Sequence, residues 1–308
     1  MKPLVSYYGG KQRMASRIVP LLPRHTVYVE PFAGGAAMFF AKPWPPVTNS
    51  NHYREVLNDL DGRLINLYRV AQDPIIFERF IRLVSVPHSR QVYKSAKGAD
   101  DESIDAAEAA AAYWVNAQCS FASQINSGWR TAVFGRNDAS CQLERVASLP
   151  QYLDRMMGVY VEQDDALSVI RRWDSPQTLF CCDPPYVGTD QCYRHKIDSK
   201  YLGELCDTLN AAKGSFALSG YPHEIPDSYN WKRHDFAAHC FASGKGKVRD
   251  SGEYSAEERR RTECLWVVDR SDDARSEVHA IWEQWAGNGF RWGGDHRTYG
   301  GQIGLFEK

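Results

Sequence analysis

The sequence predicts an α/β fold with a mostly parallel, Rossmann-like sheet and helices on both faces. Three observations support this prediction. Short apolar strands alternate with helical segments along the chain. A glycine-rich turn joins the first strand to a helix. Finally, the strand at 179–182 is apolar throughout, as expected of a strand buried on both faces.

Composition limits the class of protein. The 308 residues, 43% of them hydrophobic, suffice for one large domain with an insertion, and the net charge of -1 excludes a uniformly basic coat. No apolar run of about 18 residues and no signal-peptide core is evident, so we expect a cytoplasmic protein. The 8 cysteines form no C-x-x-C pair, so we expect reduced thiols and no metal.

The chain opens with a glycine turn that carries a lysine, at residues 7–11. This turn resembles half of a phosphate-binding loop, but the full G-x-x-x-x-G-K-[ST] spacing is missing. In addition, Gln12 stands where such a loop needs a hydroxyl for magnesium, which disfavours a nucleoside triphosphatase.

The first strand, at 27–30, leads through a glycine turn into a helix that begins near Met38. Glycines in such a turn let a ligand approach the backbone closely. The second strand, at 55–58, ends at Asp59 and precedes a helix at 62–70. An acid at this place can bind the two hydroxyls of a ribose, and capping of the following helix is an equally good local interpretation of Asp59.

Residues 73–150 show a different pattern. Apolar residues recur at helical spacing over 76–84, and 105–118 is an alanine-rich helix, without a buried strand between them. We therefore predict a helical insertion at 73–150 in a domain formed by 1–72 and 151–308. The amides, hydroxyls and arginines of 116–137 suit contacts with bases and phosphates, and a polar loop held by aromatic side chains is the simpler alternative.

The sheet resumes in the second half of the chain. Strands are expected at 159–161, 179–182, 216–219 and 263–268, with helices at 166–172 and 201–209. Two prolines end the strand at Asp183, at the edge where open α/β sheets bind ligands. A basic loop at 243–261 is either a phosphate-binding segment or a solvated surface loop.

Asp183–Tyr186 resembles the D-P-P-Y signature of amino-methyltransferases acting on DNA. The whole chain resembles the Dam-type, D12 class DNA adenine methyltransferases, through further segments in the same order. These are Tyr7–Lys11, Glu30–Ala36, Leu57–Asp59, Asp165–Leu167, Ala217–Ser219 and Arg261–Glu263.

The resemblance implies a methyltransferase fold with a target-recognition insertion, S-adenosylmethionine as cofactor and no metal. The implied catalytic residues are Asp183, Pro184, Pro185 and Tyr186. The implied cofactor-binding residues are Tyr7, Gly9, Gly10, Lys11, Glu30, Phe32, Gly34, Gly35, Asp59, Asp165 and Asp183. An adenine flipped out of double-stranded DNA would be methylated on its N6 amine, with that amine held by Asp183 and Pro184 and the base stacked on Tyr186.

We expect DNA contacts from Gln118, Ser120, Arg130, Arg136, Asn137, Lys245 and Lys247. Some members of this family recognise GATC. This sequence carries other residues at the positions that match their recognition residues, so the resemblance does not predict its target sequence. A bidentate arginine on guanine is worth about 1–3 kcal/mol of discrimination, and Ser120 stands in its place.

Two other functions remain open at this point. A glutamine methyltransferase of proteins has a related fold, but it characteristically has Asn where Asp183 stands and would not need the insertion. A catalytically silent DNA-binding module is disfavoured by the joint presence of Lys11, Asp59 and Asp183. An orphan or phage enzyme, or one partnered by a cognate restriction endonuclease, fits the resemblance equally.

Overall fold

The computed structural model describes residues 1–43, 53–97, 105–131, 135, 137–188, 194–239 and 260–271. Within these ranges the chain forms one mostly parallel sheet flanked by helices, which confirms the predicted fold class. The strands are β1 (Val27–Glu30), β2 (Arg54–Asn58), β3 (Val159–Glu162), β4 (Thr178–Cys182), β5 (Ser215–Gly220), β6 (Lys232–His239) and β7 (Arg260–Val268).

Helices cover both faces of this sheet. They are α1 (Ala15–Ile18), α2 (Ala37–Ala41), α3 (Gly62–Val70), α4 (Pro74–Val84), α5 (Arg90–Ala96), α6 (Ala106–Cys119), α7 (Asp138–Ala147), α8 (Gln151–Met156), α9 (Ala166–Trp173), α10 (Ser199–Ala211) and α11 (Glu224–Asp227). None of the described helices is both long enough and apolar enough to cross a membrane.

The order of strands across the sheet is β3-β2-β1-β4-β5-β7-β6. The first five of these strands run parallel, and β7 is antiparallel to both of its neighbours. Strand β4 therefore lies at the centre, between β1 and β5, and all five of its residues are buried. The carboxyl ends of β1, β2, β4 and β5 meet at one edge of the sheet, which is where ligands of such sheets bind.

Side-chain caps define where several helices begin. Asp61 caps α3 by accepting a hydrogen bond from the Arg63 backbone N–H, so the alternative in which Asp59 caps this helix is wrong. Asp73 and Asp105 cap α4 and α6 in the same way. An oxygen at this position satisfies amide groups that have no partner inside the helix.

The region 73–150 is helical where the structure describes it, apart from a single β-bridge between Ser120 and Trp129. Helix α6 is buried on almost all sides and packs against α3 and α4. Trp114 of α6 is fully buried, and its indole N–H donates to the Leu4 carbonyl oxygen over 3.0 Å. Residues of this region thus share one core with the N-terminal segment.

Strand β6 was not predicted. Its sequence, K-R-H-D-F-A-A-H, alternates weakly and is mostly polar, because it is the edge strand of the sheet. Phe236 is its one side chain that is buried among those described. A strand exposed in this way gives little of the apolar signal from which buried strands are predicted.

Candidate active site

The site is built at the end of β4. Cys182 is the last residue of the strand, and Asp183 follows at the carboxyl edge of the sheet. Pro184 and Pro185 cannot donate to a ladder, which ends the strand here and turns the chain away. Burial raises the pKa of both Cys181 and Cys182, so these neighbouring thiols stay protonated and are poor nucleophiles.

The Asp183 carboxylate is held through one of its oxygens. Its Oδ1 accepts hydrogen bonds from Lys11 Nζ and from Ser219 Oγ, each at 2.8 Å, and the Tyr186 hydroxyl oxygen lies 3.2 Å away. Among the described residues no donor is assigned to Oδ2. Because a third of the side chain is exposed, this second oxygen is free to accept a hydrogen bond from a ligand.

Lys11 links this carboxylate to a second one. The ammonium is 8% exposed and lies 2.9 Å from Glu263 Oε1, and the Tyr186 hydroxyl hydrogen-bonds to the same carboxylate. Burial alone would lower the pKa of Lys11, but the charges of Asp183 and Glu263 outweigh it and raise that pKa. Burial and the same two carboxylates raise the pKa of Tyr186, so its hydroxyl stays protonated as a donor.

The glycine turn after β1 forms the neighbouring wall. Gly34 has a φ of +45°, and a Cβ at this position would lie 3.0 Å from the Tyr7 ring. At Gly35 a Cβ would come within 2.9 Å of the Tyr7 Cβ, which is closer than real contacts allow. The two glycines are therefore required for the turn to pack against Tyr7.

Asp59 braces this turn from the end of β2. Its carboxylate accepts the Gly34 and Asp61 backbone N–H groups, each over 2.9 Å. Burial raises its pKa, while the two backbone hydrogen bonds act in the opposite direction. The preceding Asn58 joins the ends of three strands, because its amide nitrogen donates to the Pro31 and Asp164 carbonyl oxygens over 2.8 and 2.9 Å.

A cavity of about 500 Å³ opens between these groups. Nine of the predicted cofactor-binding residues line it, namely Tyr7, Gly9, Gly10, Lys11, Phe32, Gly34, Gly35, Asp59 and Asp183. Pro185 also reaches this wall. Ala166, residues 194–198 and Tyr201 complete the lining, so that Arg194 and Lys196 share the cavity with the acids.

Glu30 and Asp165 lie outside this lining. Glu30 is buried and accepts hydrogen bonds from the Tyr28 hydroxyl and the Phe39 backbone N–H, both over 2.7 Å. Burial raises the pKa of Glu30 to about 7. Asp165 caps α9 and accepts from the Tyr201 hydroxyl at 2.8 Å, so it borders the cavity through that ring. Both side chains support the walls of the cavity.

Tyr186, the predicted base-stacking residue, is half-buried beside the site. Its ring packs edge-on against Tyr221, with centroids 4.5 Å apart and an interplanar angle of 66°. The Lys11 ammonium lies 4.7 Å from the centre of the Tyr186 ring. An aromatic pair therefore stands next to the free carboxylate oxygen.

Two of the predicted DNA contacts need correction. Gln118 is 4% exposed. Its side-chain nitrogen donates to Ser6 Oγ, and its side-chain oxygen accepts from the Ser6 backbone N–H, each over 3.0 Å. Ser120 is fully buried and donates to the Asn116 side chain over 3.0 Å. Neither side chain faces solvent, because α6 is buried nearly all round, so neither is positioned to touch a base.

Of the five remaining predicted DNA contacts, the structure describes Arg130 and Asn137. Arg130 is partly exposed and pairs with Asp138 at 3.0 Å. Asn137 is exposed and caps α7. Arg136, Lys245 and Lys247 lie outside the described residues.

Ser219 and Glu263 were not assigned to the site from sequence. Both were recognised within motifs, but their strands β5 and β7 are far from β4 in sequence. The parallel pairing of Cys182 with Leu218 brings Ser219 beside Asp183, and β7 is the other neighbour of β5. The sequence could have indicated Ser219, because it ends a predicted parallel strand and the carboxyl ends of adjacent parallel strands meet. It could not have indicated Glu263, which lies on the antiparallel strand β7.

Comparisons with known proteins agree with this geometry. A type II methyltransferase, M1.LlaDCHI of Lactococcus lactis subsp. cremoris, is 28% identical over 200 residues, which cover 61% of this chain and 66% of the relative. The DNA N-6-adenine-methyltransferase of Escherichia phage P1 is 24% identical over 199 residues, which cover 60% of this chain and 24% of the relative. The chain thus spans less than two thirds of the length of these relatives.

A family model described as "D12 class N6 adenine-specific DNA methyltransferase" matches residues 7–230. This match includes the glycine turn, the strand end at Asp183 and the whole helical region between them. It confirms the resemblance found in the sequence. The chain belongs to the D12 class N6 adenine-specific DNA methyltransferase family.

Proposed function

We propose that this protein transfers the methyl group of S-adenosylmethionine to the N6 amine of adenine in DNA. The observation that carries the proposal is the Asp183 carboxylate at the cavity wall, with Oδ1 held by Lys11 and Ser219 and Oδ2 available. The family to which the chain belongs and the names of its relatives support the same reaction.

Asp183 and Pro184 act on the amine. The lone pair of an adenine amine is delocalised into the ring, so the nitrogen is a poor nucleophile until it becomes pyramidal. Hydrogen bonds from its two N–H groups to Asp183 Oδ2 and to the Pro184 carbonyl oxygen favour that geometry. Because Lys11 and Ser219 fix the carboxylate in advance, little reorganisation is needed at the moment of reaction.

The cavity fits the cofactor in size and chemistry. About 500 Å³ falls within the range of roughly 300–1,000 Å³ typical of small-molecule sites. When bound, S-adenosylmethionine supplies an activated methyl group on a sulfonium. Tyr7 and Phe32 offer apolar and aromatic surface, and Asp59 at the end of β2 is placed to accept from ribose hydroxyls.

A target adenine must also reach this site from DNA. An adenine in a duplex cannot reach Asp183, so the base must be flipped out of the stack. Tyr186 and Tyr221 together offer an aromatic surface for the flipped base. We assign recognition of double-stranded DNA to residues 73–150, and phosphate contacts to Arg130 and to the basic loop at 243–261.

The cellular setting is also part of this proposal. We place the reaction in the cytoplasm, where bacterial or phage DNA lies. A restriction endonuclease of the same specificity is the expected partner if the protein belongs to a restriction–modification system. Neither expectation bears on the chemistry at Asp183.

The test is to incubate unmethylated genomic DNA with the protein and S-adenosylmethionine and to map N6-methyladenine by sequencing. We expect modified adenines in a defined or relaxed sequence context, and none without the cofactor. Methylation of cytosine only, or of protein only, would contradict the proposal. The modified positions would also reveal the recognition sequence.

A further inference from the structure

One cluster of charged side chains beside the cavity contains more acids than bases. Lys11 is packed between two carboxylates, 2.8 Å from Asp183 and 2.9 Å from Glu263. Lys11 and Glu263 are each 8% exposed, so solvent screens their charges little. One ammonium against two carboxylates leaves the cluster with one net negative charge.

Methyl transfer breaks the bond between sulfur and the methyl carbon as the amine nitrogen bonds to that carbon, and the amine then releases one proton to a base or to water. The cofactor thereby loses its positive charge. S-adenosylmethionine has a sulfonium, whereas the product S-adenosylhomocysteine has an uncharged thioether. An amine bonded to Asp183 Oδ2 lies within about 3 Å of the carboxylate, and reacting atoms approach to roughly 3–3.5 Å. The sulfur must therefore lie within about 10 Å of the Lys11–Asp183–Glu263 cluster, whichever way the rest of the cofactor is oriented.

We propose that Glu263 is a specificity-determining residue, whose charge contributes to a preference of the site for S-adenosylmethionine over S-adenosylhomocysteine. This inference rests on the proposed function. Without Glu263, Lys11 and Asp183 would cancel each other, and this cluster would no longer attract the sulfonium more than the thioether. The other charged residues of the cavity lining, Asp59, Asp61, Arg194, Lys196 and Asp198, are the same in every variant. Since both molecules compete for one cavity, the net negative charge favours release of the product after each turnover.

The size of the effect follows from Coulomb's law. Two unit charges about 10 Å apart in surroundings of effective dielectric constant about 20 interact strongly enough to change a binding constant roughly tenfold. We therefore expect Glu263→Gln to reduce the ratio of the two dissociation constants, product over cofactor, by about tenfold. The affinity for the uncharged product should change much less.

A charge-count series tests this directly by calorimetric binding of both molecules to the full chain at pH 8. Lys11→Gln leaves two neighbouring carboxylates, of which one is expected to take up a proton, so the preference for the sulfonium should be no lower than in wild type. The double variant Lys11→Gln/Glu263→Gln has one net negative charge and should keep the wild-type ratio. Glu263→Gln alone is therefore predicted to have the lowest preference of the series.

A purely structural role predicts a different pattern. If Glu263 only positioned Lys11 and Tyr186, its loss would weaken both ligands alike, and the second substitution would add damage instead of restoring the ratio. Glu263→Asp keeps the charge and should keep the preference. Glu108→Gln removes an ion-paired carboxylate on α6, far from the cluster, and serves as the matched control.

Glu30 is another carboxylate near this cluster, since it lines the same small cavity as Lys11 and Asp183 behind the site. Measurement at pH 8, above the pKa of about 7 of Glu30, keeps this carboxylate mostly ionised in wild type. If wild type methylates DNA but Glu263→Gln keeps the wild-type ratio, the inference is wrong and the proposed function stands. If wild type binds neither molecule, the proposed function itself fails. Should Glu263→Gln not fold, a ratio in Lys11→Gln below that of wild type overturns the inference, because removal of a cation cannot weaken the attraction for the sulfonium.

Discussion

Replacing Asp183 by asparagine separates the two oxygens of the catalytic carboxylate. Lys11 and Ser219 are both donors to Oδ1, so the asparagine oxygen must take that place. The amide NH₂ then occupies the position of Oδ2 and faces the adenine amine, donor against donor. The variant should therefore keep the local packing but lose the hydrogen bond that prepares the nucleophile.

The magnitude follows from that one bond. A hydrogen bond to a charged group contributes about 1.5–3 kcal/mol, which corresponds to a rate loss of about 10- to 150-fold, and the facing donors increase it. Single-turnover methylation of a duplex with labelled S-adenosylmethionine measures the chemical step. Binding of DNA should be largely unchanged, as should binding in the more severe variant Asp183→Ala, for which we expect no measurable transfer.

The matched control is Asp207→Asn on the exposed face of α10, where the carboxylate accepts from the Tyr229 hydroxyl. It should methylate DNA at the wild-type rate. A single-turnover rate for Asp183→Asn within about threefold of wild type would refute the reasoning, since a loss of even 1.5 kcal/mol exceeds tenfold. A melting temperature matching wild type would show that the fold is intact.

Three further predictions concern other parts of the chain. Gly34→Ala, at a φ of +45°, should cost roughly 1–2 kcal/mol by thermal unfolding and weaken cofactor binding, whereas Gly158→Ala, with open space around it, should do neither. Glu30 has a pKa raised by burial to about 7, above its unfolded value, so its stabilising contribution is complete below about pH 4 and is lost as the pH rises through 7. Between pH 5 and pH 8, the free energy of unfolding of wild type, measured with urea, should thus fall by about 2–3 kcal/mol. For Glu30→Gln the free energy of unfolding should not fall in this way over the same range. Replacing Lys245 and Lys247 with Ala should weaken binding to all DNA sequences alike and reduce the slope of log K against log salt by roughly 2, and an unchanged slope would show that they do not contact phosphate.

The buried part of the fold was predictable because burial leaves a clear pattern. The apolar run at 179–182 and the helix at 62–70 were found with nearly the observed bounds, since each is bounded by a proline, a glycine or an acid. The order of the strands was not available, because pairing depends on contacts between distant segments. The edge strand β6 was not predicted, because its residues are mostly exposed and therefore need not be apolar.

The candidate site was predictable to a similar degree. Asp183 and the glycine turn could be located because a strand end and a positive φ restrict which residues are allowed. Glu263 could not, since its closeness to Lys11 arises from an antiparallel strand that enters the sheet late in the chain. Gln118 and Ser120 were misjudged because their polar side chains suggested exposure. The three bulky residues at 113–115, on consecutive sides of α6, already indicated that this helix is buried all round.

The burial of α6 indicates that residues 73–150 also have a structural role at the cavity. Trp114 donates to the Leu4 carbonyl oxygen, and Gln118 bonds to Ser6, so this helix holds the segment that leads directly into Tyr7. Tyr7 in turn packs on the glycine turn of the cavity. A displacement of α6 by a bound duplex would therefore be passed through these hydrogen bonds to the cavity wall. The helix that we assign to the recognition region is thus also a structural support of the cavity, and substitutions at Gln118 should alter cofactor affinity even when no DNA is present.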